Sequence, residues 1–291
     1  MKTLSVDYTI DGHPRNATVL DGQTITLGDV IDPMPIADVK TAADGNFSLE
    51  AWQNGRYELK TASGRTLQCN VDYIPAAHTI DGPWELRFPA NPTQQSRLSL
   101  RESGATFAER KATITSGGAP ASVTLDKLIS WSEHPNAGVK YFSGTAVYRK
   151  TFDLPPDALA AGRAIYLDLG RVAVIARVSV NGQDLGIFWN APFRIEATKA
   201  LRSGENVLEV QVTNLWANRM IGDEQLPEDS ERNPDGSLHS WPKWLLEGKP
   251  SPAGRHTFAT YRIWRKDSPL QESGLLGPVK FYTTRQVAVE R

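Results

Sequence analysis

From Asn214 to Glu224 the chain reads Asn-Leu-Trp-Ala-Asn-Arg-Met-Ile-Gly-Asp-Glu, a run that concentrates recognition chemistry. The amides of Asn214 and Asn218 and the forked donors of Arg219 suit vicinal hydroxyls, and the indole of Trp216 suits the C–H face of a sugar ring. The run follows directly on an alternating apolar segment ending at Thr213, so it is expected at a strand end, where binding loops gather. The competing reading is a structural corner, with Trp216 buried and both amides tied to loop backbone. Residue types weigh these two readings evenly. Phe188-Trp189-Asn190-Ala191-Pro192-Phe193 offers a second wall, with Trp189 and Asn190 facing the ligand and the Phe rings better suited to sealing a sheet edge. A third candidate is Trp131-Ser132-Glu133-His134, with an aromatic face at Trp131 and a carboxylate at Glu133; a solvated loop is the plainer account of Glu133 and His134.

Hydrolysis of a glycoside needs two carboxylates across the scissile bond, ~5–5.5 Å apart for retention or ~6.5–9.5 Å for inversion. Asp223 and Glu224 are the first candidates, with Glu133 as a third. On an extended chain, neighbouring side chains point to opposite faces. Asp223 and Glu224 therefore make a poor pair unless the fold brings in Glu133 or Glu85. Pairing with Arg219 to stiffen the loop is the plainer account of both. The chain has no G-x-S-x-G elbow, P-loop, G-x-G-x-x-G turn or H-E-x-x-H motif. Cys69 is the single cysteine and the five histidines are scattered, which excludes an intrachain disulfide and gives no zinc spacing.

The elements that must position these groups are strands. Residues 1–78 carry short alternating runs, such as Leu4–Tyr8 and Arg56–Lys60, punctuated by Asp11-Gly12, Asp21-Gly22, Asp44-Gly45 and Asn54-Gly55. Such dipeptides tolerate the positive φ of tight turns. This part is expected to be a small β domain, with Ile74–His78 as linker. Residues 79–291 are expected to form an antiparallel β-sandwich of jelly-roll type, making the fold all-β. Asn181-Gly182 between two apolar runs predicts a hairpin. Leu208, Val210 and Val212 alternate with polar residues and predict a strand with one wet face. Helix is expected only as short pieces near 155–160 and 198–201. Residues 222–254, rich in proline, predict a long loop that is either docked or disordered, and Trp241-Pro242-Lys243-Trp244 argues for docking.

Lys+Arg 32 against Asp+Glu 33 gives a net charge of -1, without the basic footprint that nucleic acid or an anionic membrane requires. A neutral partner fits better. The N-terminus turns polar before any apolar run long enough for a signal peptide, so the chain is expected to stay where it is made.

Phe142–Phe152, Val178–Gly186, Ala191-Pro192-Phe193 and Gly204–Val210 resemble the sugar-binding jelly roll of family 2 glycoside hydrolases. Asn214–Glu224, Trp241–Trp244 and Ser273–Val279 resemble the C-terminal region of the large α-L-rhamnosidases of glycoside hydrolase family 106. The resemblance covers roughly residues 80–285. It implies a carbohydrate partner and a catalytic barrel as neighbour, and carries over no catalytic pair, because the repeating strand–helix pattern of a barrel is absent from this sequence. By analogy with other jelly-roll sugar binders it also raises a structural calcium, with Asp168 or Asp184 contributing. Three readings remain open: a carbohydrate-binding region of a glycoside hydrolase, a compact glycosidase acting through Glu224, Asp223 and Glu133, and a structural domain packed on a catalytic barrel.

Overall fold

The computed structural model describes residues 3–10, 13–20, 34–41, 47–60, 64–89, 96–98, 101–102, 105–106, 110–112 and 117–289. They fall into two compact units, Met1–Pro35 and Ile36–Arg291. The first unit holds one antiparallel hairpin, β1 (Thr3–Ile10) and β2 (His13–Leu20), in register from Thr3 opposite Leu20 to Ile10 opposite His13. The expected turns Asp11-Gly12, Asp21-Gly22 and Asp44-Gly45 lie outside the described residues.

The second unit begins with β3 (Ala37–Thr41), β4 (Phe47–Ala51), β5 (Gly55–Lys60), β6 (Thr66–Val71), β7 (His78–Thr79) and β8 (Trp84–Arg87). Short strands β9 (Ser96–Leu98), β10 (Arg101–Glu102), β11 (Ala105–Thr106) and β12 (Arg110–Ala112) follow. The main framework is β13 (Ser122–Leu125), β14 (Thr145–Leu154), β15 (Arg163–Asp168), β16 (Arg171–Ala173), β17 (Ile175–Val180), β18 (Gln183–Phe188), β19 (Arg194–Glu196) and β20 (Gly204–Thr213). It closes with β21 (Gly274–Gly277) and β22 (Lys280–Val289). Helical pieces are few: α1 (Ala137–Lys140), α2 (Ala217–Asp223), α3 (Lys243–Leu246) and 3-10 turns at Trp131–Glu133, Pro156–Leu159 and Thr198–Ala200.

Two sheets make the sandwich. One has the order β13-β8-β14-β20-β17-β18, the other β19-β15-β22-β4-β3 with β7 also on β22. In the first sheet Leu86, Tyr148, Val210 and Val178 lie opposite one another on successive strands, and all four are fully buried. Each such side chain contributes on the order of 1.5–3 kcal/mol by leaving water. Phe152 of β14 meets Phe281 of β22 at 4.9 Å between ring centroids, joining the two sheets. The outer face of the first sheet is wet, with exposed ion pairs Arg87–Glu85, Arg149–Glu209 and Arg177–Asp184 along it.

The expected hairpin is β17–β18, turning at Asn181 (φ 52°) and Gly182 (φ 80°). The sheet organisation crosses the boundary expected near residue 78. Strands β3 and β4 extend the sheet of β15 and β22, because Leu49 of β4 lies opposite Val287 of β22. A small second core, Leu49, Ala51, Leu67 and Val71, forms there with Val287 packed against it.

Candidate functional site

β18 and β20 flank β17 and both run antiparallel to it, so their C-terminal ends leave the same edge of the sheet, ~10 Å apart at the usual strand spacing. Trp189 follows β18 and Trp216 follows β20. Trp189 is 72% exposed and Trp216 67% exposed, and Leu215 and Ile187 nearby are exposed as well. Asn190 is exposed and donates to its neighbour's carbonyl, Ala191 O, at 3.2 Å. Three of the seven side chains expected to touch sugar, Trp189, Asn190 and Trp216, therefore stand at one sheet edge with accessible surface.

The other four are built into the protein. Trp131 is 1% exposed, stacked on Tyr148 with Phe88 and Phe142 at its edges, and donates Nε1–H to the Tyr148 hydroxyl at 2.6 Å. A ring enclosed on both faces has none left for a sugar, which corrects the expectation for Trp131. Asn214 is buried; its Oδ1 accepts from Gly144 N–H and its Nδ2 donates to Phe142 O, so it clamps the approach to β14. Asn218 is buried too and pairs both ways with the backbone of Gln271. Arg219 reaches Gly117 O and pairs with Asp223 at 2.9 Å. The amides of Asn214 and Asn218 and the guanidinium of Arg219 thus supply hydrogen bonds that buried loop backbone must find, while Trp216, expected to be buried in the structural-corner reading, is exposed.

The segment expected to be extended at Asp223 and Glu224 is the end of helix α2, which corrects the opposite-faces argument. Trp216 stands at the helix start without a side-chain capping bond. The helix is pressed onto Tyr141 at Gly222, where an added Cβ would meet Tyr141 Cβ at 2.6 Å. Asp223 is 2% exposed; its Oδ2 accepts from His256 N–H, Thr257 N–H and the Thr257 hydroxyl, while Oδ1 faces Arg219. Glu224 divides its oxygens between Arg255 (2.8 Å) and Arg262 (3.1 Å). All four carboxylate oxygens are thereby committed to the protein itself. Glu133 is exposed on the 3-10 turn after Ser130.

Sequence reasoning missed what these carboxylates organise. The region from Gly222 to Glu272 is an arginine-centred loop assembly: Arg255 also donates to Pro227 O and Leu226 O, Arg262 pairs with Glu228, and Trp244 donates to Asp229 O. Short bridges join Arg232 with Leu238 and Ser237 with Tyr261. A cleft opens within the assembly, bordered by Arg232, Arg255, Arg262, Asp229, Tyr261 and Trp264 among others. The available signal was the alternation around Arg262, with exposed Tyr261 and Ile263 on either side.

Asp168 pairs with Arg194 and accepts from Gly170 N–H, and Asp184 pairs with Arg177 and accepts from Gly186 N–H. Both carboxylates raised for calcium are thus taken up by arginine. Among the described residues no cluster of His, Cys, Asp and Glu is placed to hold a metal ion, and no helix is long and apolar enough to cross a membrane.

With this geometry in place, residues 131–251 match the family model described as glycosyl hydrolase 2 galactose-binding domain-like. A protein of Formosa agariphila provisionally named a beta-glucuronidase is 37% identical over 279 residues, which is 96% of this chain and 21% of that protein. The solved rhamnosidase from Novosphingobium sp. PP1Y aligns with a TM-score of 0.52 and 26% identity, over 87% of this chain and 25% of its own. A beta-glucuronidase from Bifidobacterium dentium, complexed with coumarin-3-O-glucuronide, aligns at a TM-score of 0.42 and 20% identity, over 72% of this chain and 30% of its own. The chain thus spans about a fifth to a quarter of the length of the first two. Its β-sandwich is a galactose-binding-like domain of the kind found in glycoside hydrolases.

Proposed function

We propose that the chain is a non-catalytic, glycan-recognising part of a larger glycoside hydrolase, of the family 106 rhamnosidase kind. The observation that carries this reading is the pair of exposed indoles, Trp189 and Trp216, leaving one sheet edge with Asn190 beside them. Exposed indoles of this kind bind by stacking on ring C–H groups. The commitment of every Asp223 and Glu224 oxygen to arginine or backbone supports a non-catalytic role, since a general acid or nucleophile needs an oxygen turned to its substrate. Calorimetry with rhamnose-, galactose- and uronate-containing oligosaccharides tests the reading: binding is expected for wild type and at least tenfold weaker for Trp189→Ala and Trp216→Ala. Equal affinity in both variants would move the site elsewhere. A panel of nitrophenyl glycosides is expected to give no release from this chain.

A second reading has its own observation. Trp241, Leu246, Tyr261 and Ile263 are all exposed on the 222–272 assembly, an apolar surface of the kind used to pack against a catalytic domain. Trp241→Ser and Ile263→Ser would then leave glycan binding intact and weaken assembly with the catalytic part.

A further inference from the structure

The exposed indoles at the sheet edge are joined by an apolar stretch of the sheet's outer face. Phe188 of β18 and Val212 of β20 both stand opposite Ala176 of β17. Trp189, one residue on, therefore leaves the sheet beside Ile175, which is itself opposite Thr213. Ala176 and Val178 are fully buried, so Ile175 and Arg177, alternating with them, face outward. Ile187, opposite Arg177, shares that outer face. Ile187 is 61% exposed and Ile175 39% exposed, so apolar surface extends from Trp189 inward across β17. Single exposed apolar side chains are ordinary, whereas a contiguous row marks a contact surface.

Beyond Ile175 the outer face turns polar. The hydroxyls of Thr213 and Thr145 bond to each other at 2.7 Å between β20 and β14. A hydroxyl has one donor and two acceptor sites, so this pair keeps acceptor capacity for a ligand. The backbone that follows Thr213 is drawn to the β14 side, away from β17. Asn214 Oδ1 accepts from Gly144 N–H at 2.9 Å, and Leu215 O accepts from the Ser143 hydroxyl at 2.6 Å. Trp189 and Trp216 are thus anchored two to three strand spacings apart, on the order of 10–15 Å. Each indole keeps most of its surface in water, and among the described residues neither touches another aromatic ring.

A pyranose ring spans about one strand spacing and cannot lie on both indoles at once. An extended glycan advances by a similar length per sugar, so roughly three sugar units reach from one indole to the other. The alternation of surface suits such a chain. Sugar C–H faces match the indoles and Ile175, and sugar hydroxyls match Thr145 and Thr213.

We infer that this edge is a track for an extended oligosaccharide, running across the strands from Trp189 over Ile175 to Trp216, and that it takes an internal stretch of glycan rather than one terminal sugar. The inference rests on the glycan-recognition reading and adds the length and direction of its ligand.

The test is calorimetry on the full chain with galactose, rhamnose and galacturonate, each as monomer, dimer, tetramer and hexamer. At least one series is expected to gain at least tenfold in affinity from dimer to tetramer, because a second contact on the same ligand is intramolecular. The gain should level off at the hexamer. Trp189→Ala and Trp216→Ala should each return the tetramer to about the affinity of the dimer. Ile175→Lys obstructs the path between the indoles while leaving both in place, and should do the same. A monomer that binds as tightly as the tetramer would overturn the track and leave glycan recognition standing. A length dependence untouched by Ile175→Lys would overturn it as well, by routing the chain elsewhere. No binding in any series would remove both the track and the glycan-recognition reading. If Ile175→Lys fails to fold, the length dependence of the wild type and of the two tryptophan variants decides alone.

Discussion

Asp223 holds Thr257 twice, accepting its backbone N–H at 2.6 Å and its hydroxyl at 2.7 Å through the same carboxylate oxygen. This contact fastens an interior stretch of the 222–272 assembly to helix α2. The carboxylate's other oxygen faces Arg219, whose side chain is nearly as buried. Asp223→Asn keeps the volume and removes the charge, leaving Arg219 uncompensated. Breaking a buried pair in this way costs about 3–5 kcal/mol. Urea denaturation should show a loss in that range, and a loss under ~1 kcal/mol would mean that the carboxylate is not structural and its catalytic candidacy must be reopened.

Two tryptophans with the same expected role should behave in opposite ways. Trp131 fills the core between Tyr148, Phe88 and Phe142, so Trp131→Ala should cost about 3–5 kcal/mol. Trp216 stands in solvent at the start of α2, so Trp216→Ala should change stability by no more than ~0.5 kcal/mol while weakening glycan binding. Thermal melts and binding measured on the same two samples separate these effects. A stability loss for Trp216→Ala approaching that of Trp131→Ala would place its ring in a core.

The contrast shows what sequence could and could not reveal. Asn181-Gly182 was legible because positive φ is a local property of those two residues, and Leu208, Val210 and Val212 were legible because a strand's period is local too. The direction of Trp131 was not, because an indole is equally suited to a core and to a sugar, and its neighbours Phe88 and Ser273 are far away in sequence. Helix α2 was hidden by its seven residues and uncapped start. Pairing of β4 with β22 joins Leu49 to Val287, a separation that no local pattern records. At the sheet edge Trp189, Asn190 and Trp216 are exposed, a direction that residue type left open for Trp216, whereas the amides of Asn214 and Asn218 serve backbone.

Stability should decline on mild acidification through His256. Partial burial first, and then the Arg219 guanidinium, hold its imidazole below the ordinary histidine range, with Asp223 opposing them. The unfolded chain protonates this histidine near pH 6.5, whereas the folded chain protonates it only at lower pH. Between those values the unfolded state binds more protons, so stability is intact above about pH 6.5 and falls as pH drops below it. Urea midpoints at pH 7.5, 6.5 and 5.5 should decrease for wild type, with a shallower decrease for His256→Gln. Identical slopes for the two proteins would assign the acid sensitivity to other groups.

Gly274 carries a strict sequence requirement within the core. Its φ of +100° is one that side-chain-bearing residues rarely adopt, and an added Cβ would stand 2.5 Å from the Tyr148 hydroxyl and 2.7 Å from Trp131 Nε1. That hydroxyl oxygen accepts both the indole N–H of Trp131 and the backbone N–H of Leu275, at 2.6 and 2.9 Å. Gly274→Ala should therefore destabilise by about 2 kcal/mol or more, combining overpacking with backbone strain. Tyr148→Phe removes the shared acceptor, strands two buried donors and should cost about 1–3 kcal/mol for each. It also clears one of the atoms that the new methyl group of Gly274→Ala would strike. In the double variant the cost of Gly274→Ala should fall by at least ~0.5 kcal/mol relative to its cost in wild type, a coupling expected for residues in contact. Strict additivity in denaturant unfolding would mean that strain and the Trp131 ring, and not the Tyr148 hydroxyl, impose glycine at this position.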